Sequence, residues 1–369
     1  MKTRKQSKKQ HGGDSEGIHA LGRAIESRAS LNTIQGILDR YPGLNLNEPY
    51  TMMSNYKILL LTKALVEKLP EIAKLLIDKG ADVNIHGPNG IPATQYAIRH
   101  LDMIRYFVDH GADINRQDRY GQSALHYATY INAGPVEVVQ YLLEHGADVN
   151  QRDKKGNTPL NLTNELAVAK ELIKHGADVH TQNNDLLTPL FWPVTYGNLE
   201  LVKYLLDHGA NPNAKWNIET HQGYNNGVTP LMEALSADKN REQLLHLLIL
   251  YGADPNQRND RGQTIYNYVR RADRGWLRDI VGQAMNERER RRQLRQTGRN
   301  IIGLQTLRSG LERPRYNIAP VDMPNWMSEK IMHTLAGNII KPNKNANNKR
   351  ALGNINRTLK NMKRNYGAV

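Results

Sequence analysis

Four histidines in the middle of the chain recur at intervals that could suit a metal-binding array. Each stands directly before a glycine, at the end of a segment with helical apolar spacing: His110, His145, His175 and His208. Zinc binds imidazole nitrogens at about 2.0–2.1 Å, whereas equivalent positions on neighbouring packed helices lie about 8–10 Å apart. One ion therefore cannot collect these side chains. We therefore expect no metal site, and we expect each histidine to interact with the C-terminal dipole of its own helix.

The sequence also lacks the residues and motifs of the common catalytic centres. The 369 residues include no cysteine, which excludes disulfides, thiolate zinc sites and cysteine nucleophiles. No G-x-S-x-G, P-loop, HExxH or Rossmann fingerprint is present, and no stretch approaches the roughly 18–20 apolar residues of a membrane span. We predict a monomer without enzymatic activity, cofactor or membrane association. Its predicted location is intracellular, cytoplasmic or nuclear, with a host cell as one option.

The histidines belong to a repeated segment that must position any functional residue. Six GADVN-like segments recur with spacings of 31, 35, 30, 33 and 43 residues, starting at Gly80, Gly111, Gly146, Gly176, Gly209 and Gly252. Apolar pairs four residues apart precede them, which is typical of a short amphipathic helix. Each glycine stands where the chain must take a left-handed conformation to leave that helix, so we expect these six glycines to be structural.

A second landmark lies upstream of the last four of these segments. It reads GQSALHYA at 121–128, GNTPLN at 156–161, LLTPLF at 186–191 and GVTPLM at 227–232. Threonine is suited to capping a helix, and proline suits the first helical position, where no N–H is needed. The sequence therefore predicts two short helices in each repeat. Pro193 is expected to bend or shorten the first helix of its own repeat.

The pairing of these two landmarks about every 33 residues resembles the ankyrin family over residues 17–285. The resemblance implies an all-α repeat solenoid of stacked helix-turn-helix units with projecting β-turn fingers. We expect about eight units including degenerate caps, with clear repeats at about 52–257. The finger at 214–227 is enlarged by about eight residues. His126 resembles the histidine that links neighbouring repeats of the family by hydrogen bonds.

The resemblance also implies that partners bind across the fingertips and the inner helices. The position that follows His126 in the motif faces that surface, and its counterparts are Tyr96, Tyr127, Leu162, Trp192, Glu233 and Tyr268. Tyrosine and tryptophan dominate binding hot spots. We hypothesise that the four aromatic members form a row that contacts a partner. The alternative is that they pack against neighbouring helices.

The fingers add further candidates for partner binding. Arg119 and Tyr120 stand in one finger, and Lys154 and Lys155 in the next. Such charged tips either contact a partner or are simply solvated. The enlarged finger carries Trp216 and Tyr224, which we expect either to be exposed for binding or to fold back on the adjacent repeat.

Both ends of the chain are basic. The net charge is +14, and residues 286–369 carry eighteen Lys or Arg against five acids. We expect a disordered tail at 1–16 and a partly disordered tail at 286–369, with short helices at 286–296 and 324–337. These tails could serve nuclear import, nonspecific nucleic-acid contact or solubility. The segment 321–340 is faintly similar to the F-box-like segment that follows ankyrin repeats in some viral proteins.

We therefore predict a scaffold or adaptor that binds a protein partner through its concave face and fingers. One alternative is a nucleic-acid-associated or nuclear-targeted protein that acts through its basic tails. The other is an adaptor that recruits a ubiquitin ligase through residues 321–340.

Overall fold

The structure is a computed structural model that describes residues 4–51, 57–87, 90–130, 135–220, 223–237, 239–271 and 274–309. The chain divides into two units, residues 1–305 and residues 306–369. Of the second unit, only the end of one helix, at 306–309, is described. The predicted helix at 324–337, the segment 321–340 and the disorder expected towards the C-terminus therefore lie outside the described residues.

Eight helical units follow one another along the described chain. Their elements are α1 (Arg4–Glu26) and α2 (Leu31–Arg40); α3 (Leu60–Val66) and α4 (Pro70–Asp78); α5 (Ala93–Ala97) and α6 (Leu101–Asp109); α7 (Ala124–Thr129) and α8 (Val136–Glu144); α9 (Pro159–Leu162) and α10 (Leu166–Lys174); α11 (Phe191–Thr195) and α12 (Leu199–Asp207); α13 (Pro230–Glu233), a 3₁₀ turn (Ala234–Ser236) and α14 (Arg241–Leu250); and a 3₁₀ turn (Ile265–Asn267) with α15 (Arg274–Ser309).

The helices stack in two parallel rows. The first helices of successive units, α3, α5, α7, α9, α11 and α13, contact one another in sequence. So do the second helices from α2 to α14, with α4 and α6 joined by the hydrogen bond from the Tyr106 hydroxyl to the Lys74 carbonyl. This nearest-neighbour pattern is that of a solenoid, in which each thin unit covers its apolar side only against the next one. The predicted all-α repeat solenoid is thereby confirmed. Two short antiparallel hairpins accompany it: β1 (Tyr50–Thr51) with β2 (Lys57–Ile58), and β3 (Trp216–Thr220) with β4 (Gly223–Val228).

The first helices are short because their caps and the following turns limit them. In α7 the Ser123 backbone N–H and hydroxyl both donate to Nδ1 of His126, and in α9 Thr158 makes the same pair of bonds to Oδ1 of Asn161. The helix that contains Pro193 begins only at Phe191. Its counterparts α9 and α13 begin at the proline of the TPL motif, so this helix begins two positions later than they do. With five residues it is not shorter than these four-residue helices, so the expected shortening by Pro193 is not seen.

Each of the second helices from α4 to α14 is followed by a glycine in the left-handed conformation. Six glycines have φ between +80° and +110°: Gly80, Gly111, Gly146, Gly176, Gly209 and Gly252. At the four histidines, Nδ1 lies 2.8–2.9 Å from the carbonyl oxygen four residues earlier, for example that of Tyr141 for His145. Each ring therefore caps its own helix.

The N-terminal end differs from the sequence prediction. Residues 4–16, expected in a disordered tail, belong to the 23-residue helix α1. Ile18, Leu21 and Ile25 of this helix are buried against the first hairpin and α3. A helix anchored in this way extends N-terminally through good helix formers such as lysine and glutamine, because propagation is easier than nucleation.

The predicted boundary near residue 285 also differs from the structure. Helix α15 runs without a break from Arg274 to Ser309 and includes the helix predicted at 286–296. The change in charge does not interrupt it, because glutamate, arginine and glutamine favour helix and Glu287 pairs with Arg291 at 2.7 Å.

Candidate functional site

The predicted row of residues lies along the first helices of the units, which we call the inner helices; the second helices are the outer ones. The members of the row differ in exposure. Tyr96, Tyr127, Trp192 and Glu233 are half-buried, and Tyr268 is 36% exposed. Leu162 is buried. The three half-buried aromatic residues also pack against the apolar core. Tyr96, Tyr127 and Trp192 therefore pack as the alternative describes, while part of each side chain stays accessible.

Two tyrosines of the row are bonded to the fingers of their own repeats. The hydroxyl of Tyr127 donates to Oδ2 of Asp118 at 2.9 Å, and Nδ2 of Asn259 donates to the hydroxyl of Tyr268 at 2.9 Å. The partner is nine residues upstream in both cases. Burial and the Asp118 carboxylate raise the pKa of Tyr127. Both tyrosines thus help to fix the angle between inner helix and finger.

Trp192 differs from these tyrosines because its polar edge is bonded to no described residue. Its ring packs edge-on to Phe191, with centroids 4.9 Å apart, and stacks on Tyr196 at 5.7 Å with an interplanar angle of 16°. Tyr196 is 39% exposed. No described residue accepts a hydrogen bond from the Trp192 indole N–H, whereas that of Trp216 donates to Thr188 at 3.2 Å. Trp192 and Tyr196 therefore form an accessible aromatic pair with a donor to offer.

Next to this pair lies a carboxylate that the sequence analysis placed in the row without assigning it a role. The Thr195 hydroxyl is 3.1 Å from Oε1 of Glu233 and 3.0 Å from the carbonyl oxygen of Phe191. With a single proton, that hydroxyl cannot donate to both. Burial raises the pKa of Glu233. The sequence did offer a signal, because Glu233 is the one charged residue among the six positions of the row.

Hydrogen bonds to backbone groups fix the shape of the fingers, and the side chains at the tips are exposed. Oδ1 of Asp118 accepts the N–H groups of Tyr120 and Gln122, each at 2.8 Å, and the amide of Lys154 donates to the Tyr120 carbonyl at 2.9 Å. Tyr120 is 51% exposed, and the guanidinium of Arg119 lies 4.6 Å from the centre of its ring. The side chains of Lys154 and Lys155 are exposed. These four predicted contact residues are therefore accessible at adjacent tips.

The enlarged finger is a β-hairpin, and its tryptophan is not exposed. Trp216 is 0% accessible and packs edge-on against Phe191, with ring centroids 5.3 Å apart. The prediction that Trp216 is an exposed contact residue is wrong, because the ring fills the core between the hairpin and α11. For Trp216 the alternative holds: this part of the finger folds back on the adjacent repeat. Tyr224 lies in β4, and its side chain is outside the described part of the structure.

A ladder of asparagines, missed at the sequence level, ties consecutive repeats together. Oδ1 of Asn115 accepts the amide of Asp148 at 2.8 Å, and its Nδ2 donates to the carbonyl of Gly146 at 3.0 Å. The same two bonds are made by Asn47, Asn84, Asn150 and Asn213. His180 takes the place of the asparagine in the remaining repeat. The recurring asparagine that ends each GADVN segment was the available signal.

His126 provides a second link between repeats. Its Nε2 lies 3.2 Å from the carbonyl oxygen of Asn157 in the next finger, while Nδ1 accepts from Ser123. The bond to a carbonyl identifies Nε2 as the protonated nitrogen of the neutral ring. Burial lowers the pKa of His126.

The described part of the chain shows neither a metal-binding cluster nor a membrane-spanning element. It contains no group of three or more histidine, aspartate or glutamate side chains that could hold an ion. None of its helices combines the length and the apolar character that crossing a bilayer requires.

Comparison with known proteins agrees with this architecture. A family model described as ankyrin repeats (3 copies) matches residues 61–153 and 161–259, just over half of the chain. A protein from Treponema pallidum (strain Nichols), whose name describes it as ankyrin repeat-containing, is 41% identical over 63 residues. That match covers 16% of this chain and 21% of the length of the Treponema protein.

Proposed function

The chain belongs to the ankyrin-repeat family, and from that premise we propose that it is a non-enzymatic scaffold that binds a protein partner through its inner helices and fingers. Ankyrin repeats generally mediate protein–protein interactions. The observation that carries the proposal is the Trp192–Tyr196 pair, which is partly accessible, is stacked and has an indole N–H without an acceptor among the described residues. A monomeric state and a cytoplasmic or nuclear location are parts of the same proposal.

The physical reason is that this pair can bury a large area at a small entropic cost. Residues on short helices within a packed stack are already ordered, so binding does not have to order them again. Removal of a tryptophan anchor at the centre of an interface typically costs about 2 kcal/mol or more of binding free energy. Arg119, Tyr120, Lys154 and Lys155 would add peripheral polar contacts, each of smaller effect.

The experiment is a selection of peptide ligands from a random displayed library on the full chain, followed by affinity measurement. We expect Trp192→Ala to weaken the selected peptides by at least about thirtyfold, which corresponds to about 2 kcal/mol. The matched control is Tyr141→Ala, which removes a half-buried aromatic residue from the outer helix α8. Equal losses for the two variants, or no loss for Trp192→Ala, would refute the proposed surface.

A second candidate function rests on helix α15. Its arginines at 290, 291, 292 and 295 are exposed within a helix that continues to Ser309. Exposed guanidinium groups concentrated on two turns of a helix suit the phosphate backbone of a nucleic acid without reading its sequence, although Arg291 is also paired with Glu287. The test is titration of labelled single-stranded RNA and duplex DNA at two salt concentrations, with Arg290→Gln/Arg292→Gln as the variant. Affinity that neither falls with salt nor responds to this variant would exclude the proposal.

The recruitment of a ubiquitin ligase through residues 321–340 stays a prediction from the sequence alone. No observation among the described residues favours it, so the two candidates above take precedence.

A further inference from the structure

Glu233 is a carboxylate in partly apolar surroundings that has no counter-charge among the described residues. It is half-buried at the end of α13, in the row that otherwise consists of aromatic residues and Leu162. Within the part of the chain that the structure describes, its carboxylate forms no ion pair, and Thr195 is its hydrogen-bond partner. By contrast, the half-buried Glu67, the C-cap residue of α3, pairs with both Lys63 and Arg28.

The charged form of the Glu233 carboxyl group lacks a stabilising partner charge, and a cationic ligand can supply it. Burial disfavours the charged form of a carboxyl group, and the raised pKa of Glu233 follows from this desolvation. The Thr195 hydroxyl does not compensate fully, because it is shared with the Phe191 carbonyl. A cation placed against Oε1 or Oε2 would form a charge-assisted hydrogen bond, which is among the stronger contacts of an interface.

The neighbouring side chains favour the same kind of ligand. Thr195, which contacts Glu233, is the last residue of α11; Trp192 precedes it by three residues in that helix, and Tyr196 is the C-cap directly after it. The aromatic pair therefore flanks Thr195. The faces of tryptophan and tyrosine rings attract ammonium and guanidinium groups. A guanidinium can stack on a ring and donate to a carboxylate at the same time.

We propose that the surface formed by Trp192, Thr195, Tyr196 and Glu233 binds a lysine or arginine side chain of the protein partner. This inference rests on the proposed function and specifies it: the partner segment carries a positive charge that reaches Glu233. The occupant is a basic side chain of another protein, because the carboxylate and the two rings together complement a cation and not an anionic or purely apolar group.

The test uses the peptides selected on the full chain. We expect arginine or lysine to be enriched at one position, and expect enrichment to disappear when the selection is repeated on Glu233→Gln. In binding assays, Glu233→Gln in the protein and arginine→citrulline in the peptide should each reduce affinity about tenfold or more, and the double change should cost little beyond either one. The control is Glu144→Gln, which removes an exposed carboxylate from the end of α8.

The outcomes separate the two proposals. Peptides that require Trp192 but show no basic preference and bind Glu233→Gln normally would overturn the inference and leave the proposed function standing. Selected peptides that ignore Trp192 would overturn the proposed function itself. Self-association of the full chain that Glu233→Gln abolishes, measured by sedimentation, would replace the partner with a second copy and overturn the inference. The citrulline peptide changes no residue of the protein, so the result holds even if Glu233→Gln folds poorly.

Discussion

The asparagine ladder predicts that one exposed-looking side chain contributes strongly to stability. Asn115→Ala removes two hydrogen bonds between adjacent repeats, to the Asp148 amide at 2.8 Å and from Nδ2 to the Gly146 carbonyl at 3.0 Å. A hydrogen bond contributes about 0.5–1.5 kcal/mol to stability. The variant should therefore lose about 1–3 kcal/mol of unfolding free energy, although Asn115 is only half-buried.

The chain contains its own control at the repeat where the ladder is interrupted. His180 occupies the position of the asparagine, and its ring lies 3.9 Å from where a Cβ would stand on Gly209. It makes no corresponding pair of bonds among the described residues. We expect His180→Ala to change stability by less than about 0.5 kcal/mol. His180→Asn should restore the missing rung and add up to about 1–2 kcal/mol.

The assay is urea unfolding followed by circular dichroism, combined with hydrogen exchange of the Asp148 amide. Exchange is needed because repeat arrays can unfold unit by unit, so one midpoint does not report every interface. Asn115→Ala should lower the midpoint and the protection of that amide. Equal losses for Asn115→Ala and His180→Ala, or an unchanged Asp148 amide, would show that these contacts do not hold the repeats together.

Three further predictions concern the turns, the core and pH. Leu186 has φ +60° where other fingers have glycine, and it is 39% exposed, so Leu186→Gly should raise the unfolding free energy by about 0.5–1 kcal/mol; a lower melting temperature by calorimetry would contradict this. Trp216→Ala should cost about 3–5 kcal/mol in urea unfolding because the ring is fully buried; a loss below about 1 kcal/mol would show that the hairpin is not part of the core. His126 has a lowered pKa when folded, so its neutral form stabilises the protein above the unfolded-state pKa of about 6.5, and this contribution is lost as pH falls. His126→Asn reproduces the Asn161 arrangement and should flatten the stability profile between about pH 7 and 5; an unchanged slope would place the titration elsewhere.

The repeat period predicted most of the architecture but little of the detail of the surface. The six helix-ending glycines and the histidines before them follow from local chain geometry, which the sequence expresses directly. The half-burial of Tyr127 does not follow from local chain geometry, because it depends on how closely the finger approaches the inner helix. Trp216 was misplaced for the same reason: a tryptophan in an inserted loop has the same local sequence whether it is exposed or packed on Phe191.

The ends of the array show where composition misleads. The change in charge near residue 285 predicted a boundary, yet α15 continues through it because helix propensity is independent of net charge. At the other end, the apolar spacing of Ile18, Leu21 and Ile25 was sufficient to indicate the helix that α1 forms.

The sequence by itself determined the fold class and the places where the second helices end, because these depend on periodicity and on local turn chemistry. Only the tertiary structure decided which of those side chains are already satisfied. Tyr127 and Tyr268 are bonded to their fingers, whereas among the described residues the Trp192 indole N–H has no acceptor and the Glu233 carboxylate has the Thr195 hydroxyl but no ion pair. That distinction depends on distances between residues of different helices and fingers, which no local pattern encodes.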